Sequence, residues 1–119
     1  MRQIEIIART LAKLLFNKDV TEYVITDVHH ITDADIIYND LLKLIDNGKI
    51  NEAENLLFEE IENELEENPE NRRYLEVAID FYSRLNDLSD KILEECGFER
   101  DEIDDGIREV ADIYNISII

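Results

Sequence analysis

Apolar residues recur every three or four positions along most of the chain, a period that predicts amphipathic helices rather than strands. Over residues 2–17, Ile4, Ile7, Ala8, Leu11, Leu14 and Leu15 form a wide apolar stripe. Glu5, Arg9 and Lys13 line another face at four-residue intervals, with Glu5 and Arg9 in the favourable order. Ile6, Ala12 and Phe16 carry the apolar surface past that stripe, so this helix needs more than one neighbour.

Residues 33–67 read as a helical hairpin. Thr32 is placed as an N-cap, with Asp33 and Asp35 in the first turn, where the helix dipole favours negative charge. The helix to about Asn47 is expected to bury Ile36, Ile37, Leu41, Leu44 and Ile45. Gly48 supplies the left-handed position that ends it, and Ile50 the accompanying apolar contact. An Asn51–Glu54 capping box is then expected to open a helix over 52–67, with Ala53, Leu56, Leu57, Ile61 and Leu65 facing inward. Asn68-Pro69 ends that helix and is expected to start the next.

The next helix is expected over 70–96, with Tyr74, Leu75, Ala78, Phe81, Tyr82, Leu85, Leu88, Ile92 and Cys96 inside and a possible kink around 86–90. Gly97 closes it, Phe98 folds back, and a last helix over 101–114 buries Ile103, Ile107, Val110, Ala111 and Tyr114. Residues 18–31 hold Val20, Tyr23, Val24, Ile25 and Val28, which favour extended backbone. A lone strand would have no partner, so this stretch is expected to be a connector, its apolar residues against the body. Ile116, Ile118 and Ile119 either dock on the body or form an adhesive end.

Glycine (3) and proline (1) are too scarce for the many tight turns of a β-sandwich or barrel. The expected fold is therefore all-α: a single domain over 1–119, with about five helices packed as a small bundle around the hairpin. Gly48, Ile50, Ala53 and Leu57 match part of the tetratricopeptide pattern, which makes the hairpin similar to one such repeat. The match is degenerate: the expected aromatic is Ile37, the later small residue is Glu60, and the closing proline arrives late, at Pro69. One repeat forms no concave groove, because about three stacked units are needed for stability.

Charge narrows the partners. The formal net charge is −18. Arg2, Arg9, Lys13 and Lys18 against Glu5 leave the first 18 residues about three charges positive and the rest about 21 negative. So acidic a body repels phosphate backbones, which argues against nucleic acid. It favours basic partners or serves solubility. Cys96 is the lone cysteine, so no intrachain disulfide forms and a reducing cytoplasm is the expected setting. No run approaches the roughly 20 apolar residues of a membrane span.

Candidate chemistry is thin. His29-His30, with Asp27, Asp33 and Asp35 nearby, suggests a divalent metal site. Adjacent side chains on extended backbone point to opposite sides, and helical ligands need a spacing of three or four, so no metal ligand is assigned. The run Glu59, Glu60, Glu62, Glu64, Glu66 and Glu67 supplies carboxylates without the burial that separates their pKa values, and is expected to lie mostly in water. Cys96 precedes Gly97 at a helix C-terminus, where the dipole disfavours a thiolate. Phosphate-binding glycine loops and serine-nucleophile elbows are missing from the chain. No catalytic or cofactor-binding residue is assigned.

In RQIEIIARTLAKLLF at 2–16, DNGKINEAENLLFEE at 46–60 and FYSRLNDLSDKILEECGFERDEIDDGIREVADIYNI at 81–116, the chain resembles an uncharacterised bacterial family of small acidic helical proteins. The resemblance implies a natural helical domain and carries over no catalytic residue.

The expected role is a non-catalytic protein–protein interaction module, a scaffold or adaptor, self-associating as a homodimer in one form. Ile6, Ala12 and Phe16 are its candidate surface. The competing expectation is that they complete the monomer core. A second class is peripheral membrane attachment through the basic segment 2–17. Its few charges are weak for that purpose, and anionic lipid would repel the acidic body. A third is a metal protein using His29 and His30.

Overall fold

The computed structural model describes Arg9 and residues 21–116. The helix expected over 2–17, with Ile6, Ala12 and Phe16, lies outside the described residues, as do Ile118 and Ile119. The described residues form an all-α bundle: α1 (Asp33–Asp46), α2 (Ile50–Glu67), α3 (Arg73–Asp87), α4 (Asp90–Glu95) and α5 (Arg100–Ile113). The central helix is α3, which packs against α1, α2 and α5. Accordingly its apolar positions run almost all the way round, with Tyr74, Leu75, Val77, Ala78, Ile79, Phe81, Tyr82 and Leu85 buried.

The α1–α2 hairpin forms as its sequence predicts. Thr32 caps α1: the Asp35 N–H donates to its Oγ1 at 3.2 Å, and the Thr32 N–H donates back to Asp35 Oδ2 at 2.9 Å. At the other end Gly48 adopts φ +75°. Its N–H donates to Ile45 O at 3.0 Å, and the Lys49 N–H donates to Leu44 O at 2.8 Å. These paired bonds satisfy carbonyls that a helix end leaves open. Ala53, Leu57 and Ile61 are then fully buried on the inner face of α2. Each large apolar side chain so buried contributes about 1.5–3 kcal/mol.

The same turn recurs at Gly97, φ +69°, whose N–H donates to Glu94 O at 3.0 Å while the Phe98 N–H donates to Leu93 O at 2.9 Å. Phe98 folds back into the core as expected, 2% exposed. Asn51 Nδ2 donates to Gly97 O at 3.1 Å, which ties the α1–α2 turn to the α4–α5 turn.

Four expectations are corrected. Asn51 and Glu54 form no capping box: α2 starts at Ile50 behind Lys49, Asn51 bonds Gly97, and Glu54 accepts from Tyr82 Oη at 2.7 Å. Pro69 does not open a helix: α3 begins at Arg73, and Asn71 Oδ1 accepts the Arg73 N–H at 2.9 Å. The helix expected over 70–96 stops at Asp87 and restarts at Asp90. Ser89 Oγ caps the restart by accepting the Ile92 N–H at 3.1 Å. Arg100 holds the break, donating to Asn86 O at 3.1 Å and Leu88 O at 2.5 Å. The restart changes the helical phase, so Leu93 is buried and Ile92 is 46% exposed. In α1 the inward face is Ala34, Tyr38 and Leu41, leaving Ile36 49% exposed.

The last helix buries Ile103, Ile107, Val110, Ala111 and Tyr114, the set its spacing predicts. Gly106 lies on the same face because Tyr82 leaves no room for a side chain. A Cβ there would stand 2.5 Å from ring carbons of Tyr82.

Candidate functional site

Residues 21–26 carry no regular secondary structure, so their backbone groups need other partners. Asp80 takes the Tyr23 N–H and Arg73 the Val24 carbonyl, while a second buried carboxylate, Asp35, holds the Tyr23 side chain. Asp35 on α1 and Asp80 on α3 are each 2% exposed. Asp80 Oδ2 accepts the Tyr23 N–H at 2.7 Å and the Tyr38 hydroxyl at 3.2 Å. Asp80 Oδ1 accepts Arg84 Nε at 2.6 Å, and Arg84 also donates to Tyr38 Oη at 2.7 Å. Asp35 Oδ1 accepts the Tyr23 hydroxyl and, at 3.3 Å, a guanidinium N–H of Arg73. The same Arg73 nitrogen donates to Val24 O at 3.0 Å. Thr21 Oγ1 donates to Ser83 Oγ at 2.9 Å.

Stacking completes the arrangement. The Tyr23 and Tyr38 ring centroids lie 4.7 Å apart, and the Arg73 guanidinium sits 4.2 Å from the Tyr23 centroid. Cations over aromatic faces are attracted by the ring quadrupole. Tyr23, in the middle, is 3% exposed. This clasp fastens the connector to two helices at once. Its cost is the desolvation of two carboxylates, offset only because each is paired and accepts several hydrogen bonds.

The ionisation states follow from the surroundings. Burial works against charge on Asp35, but the Tyr23 hydroxyl, Thr32 and Arg73 together hold its carboxyl below the ordinary range. Burial and the Asp35 carboxylate push the Tyr23 hydroxyl up, so it stays a proton donor. Burial and Asp80 likewise raise Tyr38, against the opposing pull of Arg84. A second polar contact joins α2 to α3, where burial and Glu54 raise the Tyr82 hydroxyl. Glu54 is itself raised, by burial first and by Glu102 and Glu109. These are charge-assisted hydrogen bonds inside the fold. They position the connector against the helices.

Beyond the clasp the connector meets water. Ile25 packs on the core, but Val24 is 55%, Val28 74% and Ile31 49% exposed, contrary to the expectation that they lie against the body. With Ile36, four of the large exposed apolar residues of the described surface fall in sequence between positions 24 and 36. The clasp holds the start of this stretch, and a turn closed by the His30 N–H on Asp27 O, 3.1 Å, shapes its middle.

His29 and His30 lie in that turn, exposed. The His29 N–H donates to Asp27 Oδ1 at 2.9 Å, and His30 Nδ1 lies 2.9 Å from Asp27 Oδ2. Among the described residues no group of three or more His, Cys, Asp or Glu is arranged to hold a metal ion. Cys96 is half-buried beside Gly48, and Glu59, Glu62, Glu66 and Glu67 are exposed while Glu60 and Glu64 are half-buried. A wide-mouthed cleft of about 660 Å³ between α4 and α5 is lined by Asp90, Glu94, Phe98 and Arg100 among others. Arg100 is occupied there by Asp90 at 2.6 Å and by the carbonyls of Asn86 and Leu88. No helix among the described residues is long and apolar enough to cross a membrane.

Sequence reasoning missed Asp35 and Asp80 as buried anchors. Asp80 left a signal, since it interrupts the apolar run Val77–Tyr82 and precedes Arg84 by four residues. Asp35 left a fainter one, three residues after Thr32. Nothing local marked Tyr23 as their common partner.

Fold and site together define a small all-α bundle with an ion-paired connector clasp and an exposed apolar stretch. The chain belongs to a family of unknown function, DUF6483, whose model matches residues 1–115. No curated protein and no solved structure matches it.

Proposed function

We propose that this protein is a non-catalytic protein–protein interaction module, a small scaffold or adaptor of the cytoplasm that associates through its N-terminal segment and the stretch following it. The observation that carries this reading is that four of the large exposed apolar residues of the described surface, Val24, Val28, Ile31 and Ile36, fall within one stretch of 13 residues. Exposed apolar side chains scattered singly need no explanation, whereas their concentration in one short stretch supports a binding role for it. Ile6, Ala12 and Phe16, the candidate interaction residues, precede this stretch in sequence.

Two features support the reading. Asp35 and Asp80, the buried carboxylates, are spent on the clasp, so the fold itself accounts for their chemistry. The net charge of −18 favours a partner with basic character and disfavours nucleic acid. The α1–α2 hairpin, with Ala53 fully buried, is similar to a single tetratricopeptide unit. Lacking stacked repeats, it would bind through its edge and connector rather than through a groove.

Phe16→Glu tests the proposal. Association is read two ways, as sedimentation of the purified protein and as affinity capture from the native cell, with circular dichroism as the folding control. Loss of association with an unchanged helical signal is expected. Association unaltered in both, or outright unfolding, would place Phe16 in the core and overturn the reading.

A further inference from the structure

We infer that Asn47 is a modification site: its side-chain amide is lost to give aspartate and isoaspartate, at a rate set by opening of the turn that ends α1. Asn47 is exposed and is followed by Gly48, the one Asn-Gly pair of the chain. Gly48 has no side chain to shield its backbone nitrogen, so that nitrogen can approach the neighbouring amide closely. In the reaction the Gly48 nitrogen attacks Asn47 Cγ, and the new C–N bond closes a five-membered succinimide. The Gly48 N–H proton passes through water to the departing nitrogen, which leaves as ammonia. Water then opens the ring. Hydrolysis at Cγ restores the main chain as aspartate, whereas hydrolysis at the backbone carbonyl leaves isoaspartate, with the main chain running through Cβ and Cγ.

The native turn holds this reaction back. The Gly48 N–H donates to Ile45 O at 3.0 Å, and Asn47 Nδ2 donates to Lys43 O at 2.9 Å. Asn47 itself sits at φ −90° and ψ 7°. Ring closure brings Cβ into the plane of the 47–48 peptide, a ψ far from this value, so both bonds must break first. That opening is confined to a helix end, where local openings cost far less than global unfolding. Two neighbouring chemistries are closed more firmly. Asp105-Gly106 could form the same ring, but it lies inside α5 with Gly106 packed against Tyr82. Asn115 is followed by Ile116, whose branched side chain shields the attacking nitrogen.

Both products damage the turn. An aspartate at 47 loses the donor to Lys43 O and sets a carboxylate at the negative end of the helix dipole. Isoaspartate lengthens the main chain by a carbon, which takes the Gly48 and Lys49 N–H groups out of register with Ile45 O and Leu44 O. Asn51 ties this turn to Gly97, so the lesion loosens the junction of two turns.

Ageing the full chain in warm neutral buffer, folded and in urea side by side, tests this. Peptide mapping by mass spectrometry follows each asparagine, with aspartyl and isoaspartyl peptides separated by chromatography. Asn47 is expected to convert first in the folded protein, about ten- to a thousandfold more slowly than in urea. Hydrogen exchange at the Gly48 and Lys49 amides should accelerate in the isoaspartyl form. Asn47→Gln, which would have to close a six-membered ring at an exposed position, should keep its helical signal and show no conversion at 47. Another asparagine converting first in the folded protein would overturn the inference. Equal rates folded and in urea would show that the turn restrains nothing. Slowing beyond about a thousandfold would show that the site opens only when the whole fold does. Either result would overturn the inference that opening of this turn sets the rate.

Discussion

The hairpin over 33–67 and the connector over 21–31 both lie near α3, yet they are held in opposite ways. The hairpin rests on many interchangeable apolar contacts, among them Leu41, Ala53, Leu57 and Ile61, closed by a backbone turn at Gly48. The connector rests on a few directional bonds converging on Asp35 and Asp80. Apolar packing is redundant, so a lost contact weakens the whole molecule without releasing one part. A buried ionic anchor has no redundancy. It sets position sharply, and removing one partner strands the others away from water.

Substitutions should separate the two regimes. Leu57→Ala, at a fully buried site, should cost about 2–5 kcal/mol in chemical denaturation, lost cooperatively by the whole bundle. Asp80→Asn should cost about 1–3 kcal/mol, because the amide turns a donor toward groups that themselves donate. Its signature should be local, with hydrogen exchange accelerating at residues 21–25 while α2 keeps its protection. Gly48→Ala should cost about 1–2 kcal/mol from the left-handed backbone, with Cys96 Sγ 3.6 Å from the new methyl. It should leave the connector untouched.

Acid titration sharpens the contrast with a smaller effect of two signs. Asp35 has its folded pKa lowered, so its contribution is complete above about pH 4 and is lost as pH falls through the folded value. Glu54 has its folded pKa raised, so its burial opposes folding when charged and is relieved as pH falls through that value. Denaturation midpoints at pH 7, 5 and 3 should show Asp35→Asn removing the acid-side loss and Glu54→Gln removing the gain above it.

What the sequence made legible follows the same division. Thr32, Gly48, Gly97 and the inner faces of α2 and α5 were readable because caps and periodicity are local. The break after Asp87 was half readable. The polar stretch 86–90 pointed to a kink, but the Arg100 guanidinium that holds the severed end comes from beyond α4. Asn51 and Glu54 have the residue types of a capping box, yet distant partners, Gly97 and Tyr82, take them first. The clasp was hidden for the same reason, since the Tyr23–Asp80 bond spans 57 residues. Ile36 looked buried because α1 was phased on Ile36 and Ile37, whereas the buried pair Asp35–Tyr38 turns the helix the other way.

The central claim is that two buried carboxylates fasten the connector, and the Tyr23 amide reports on it most directly. Native-state hydrogen exchange at that N–H, which donates to Asp80 Oδ2 at 2.7 Å, should be slowed at least a hundredfold relative to an unstructured peptide. In Asp80→Asn the slowing should be largely lost. An amide exchanging at the unstructured rate in the wild type would contradict the clasp.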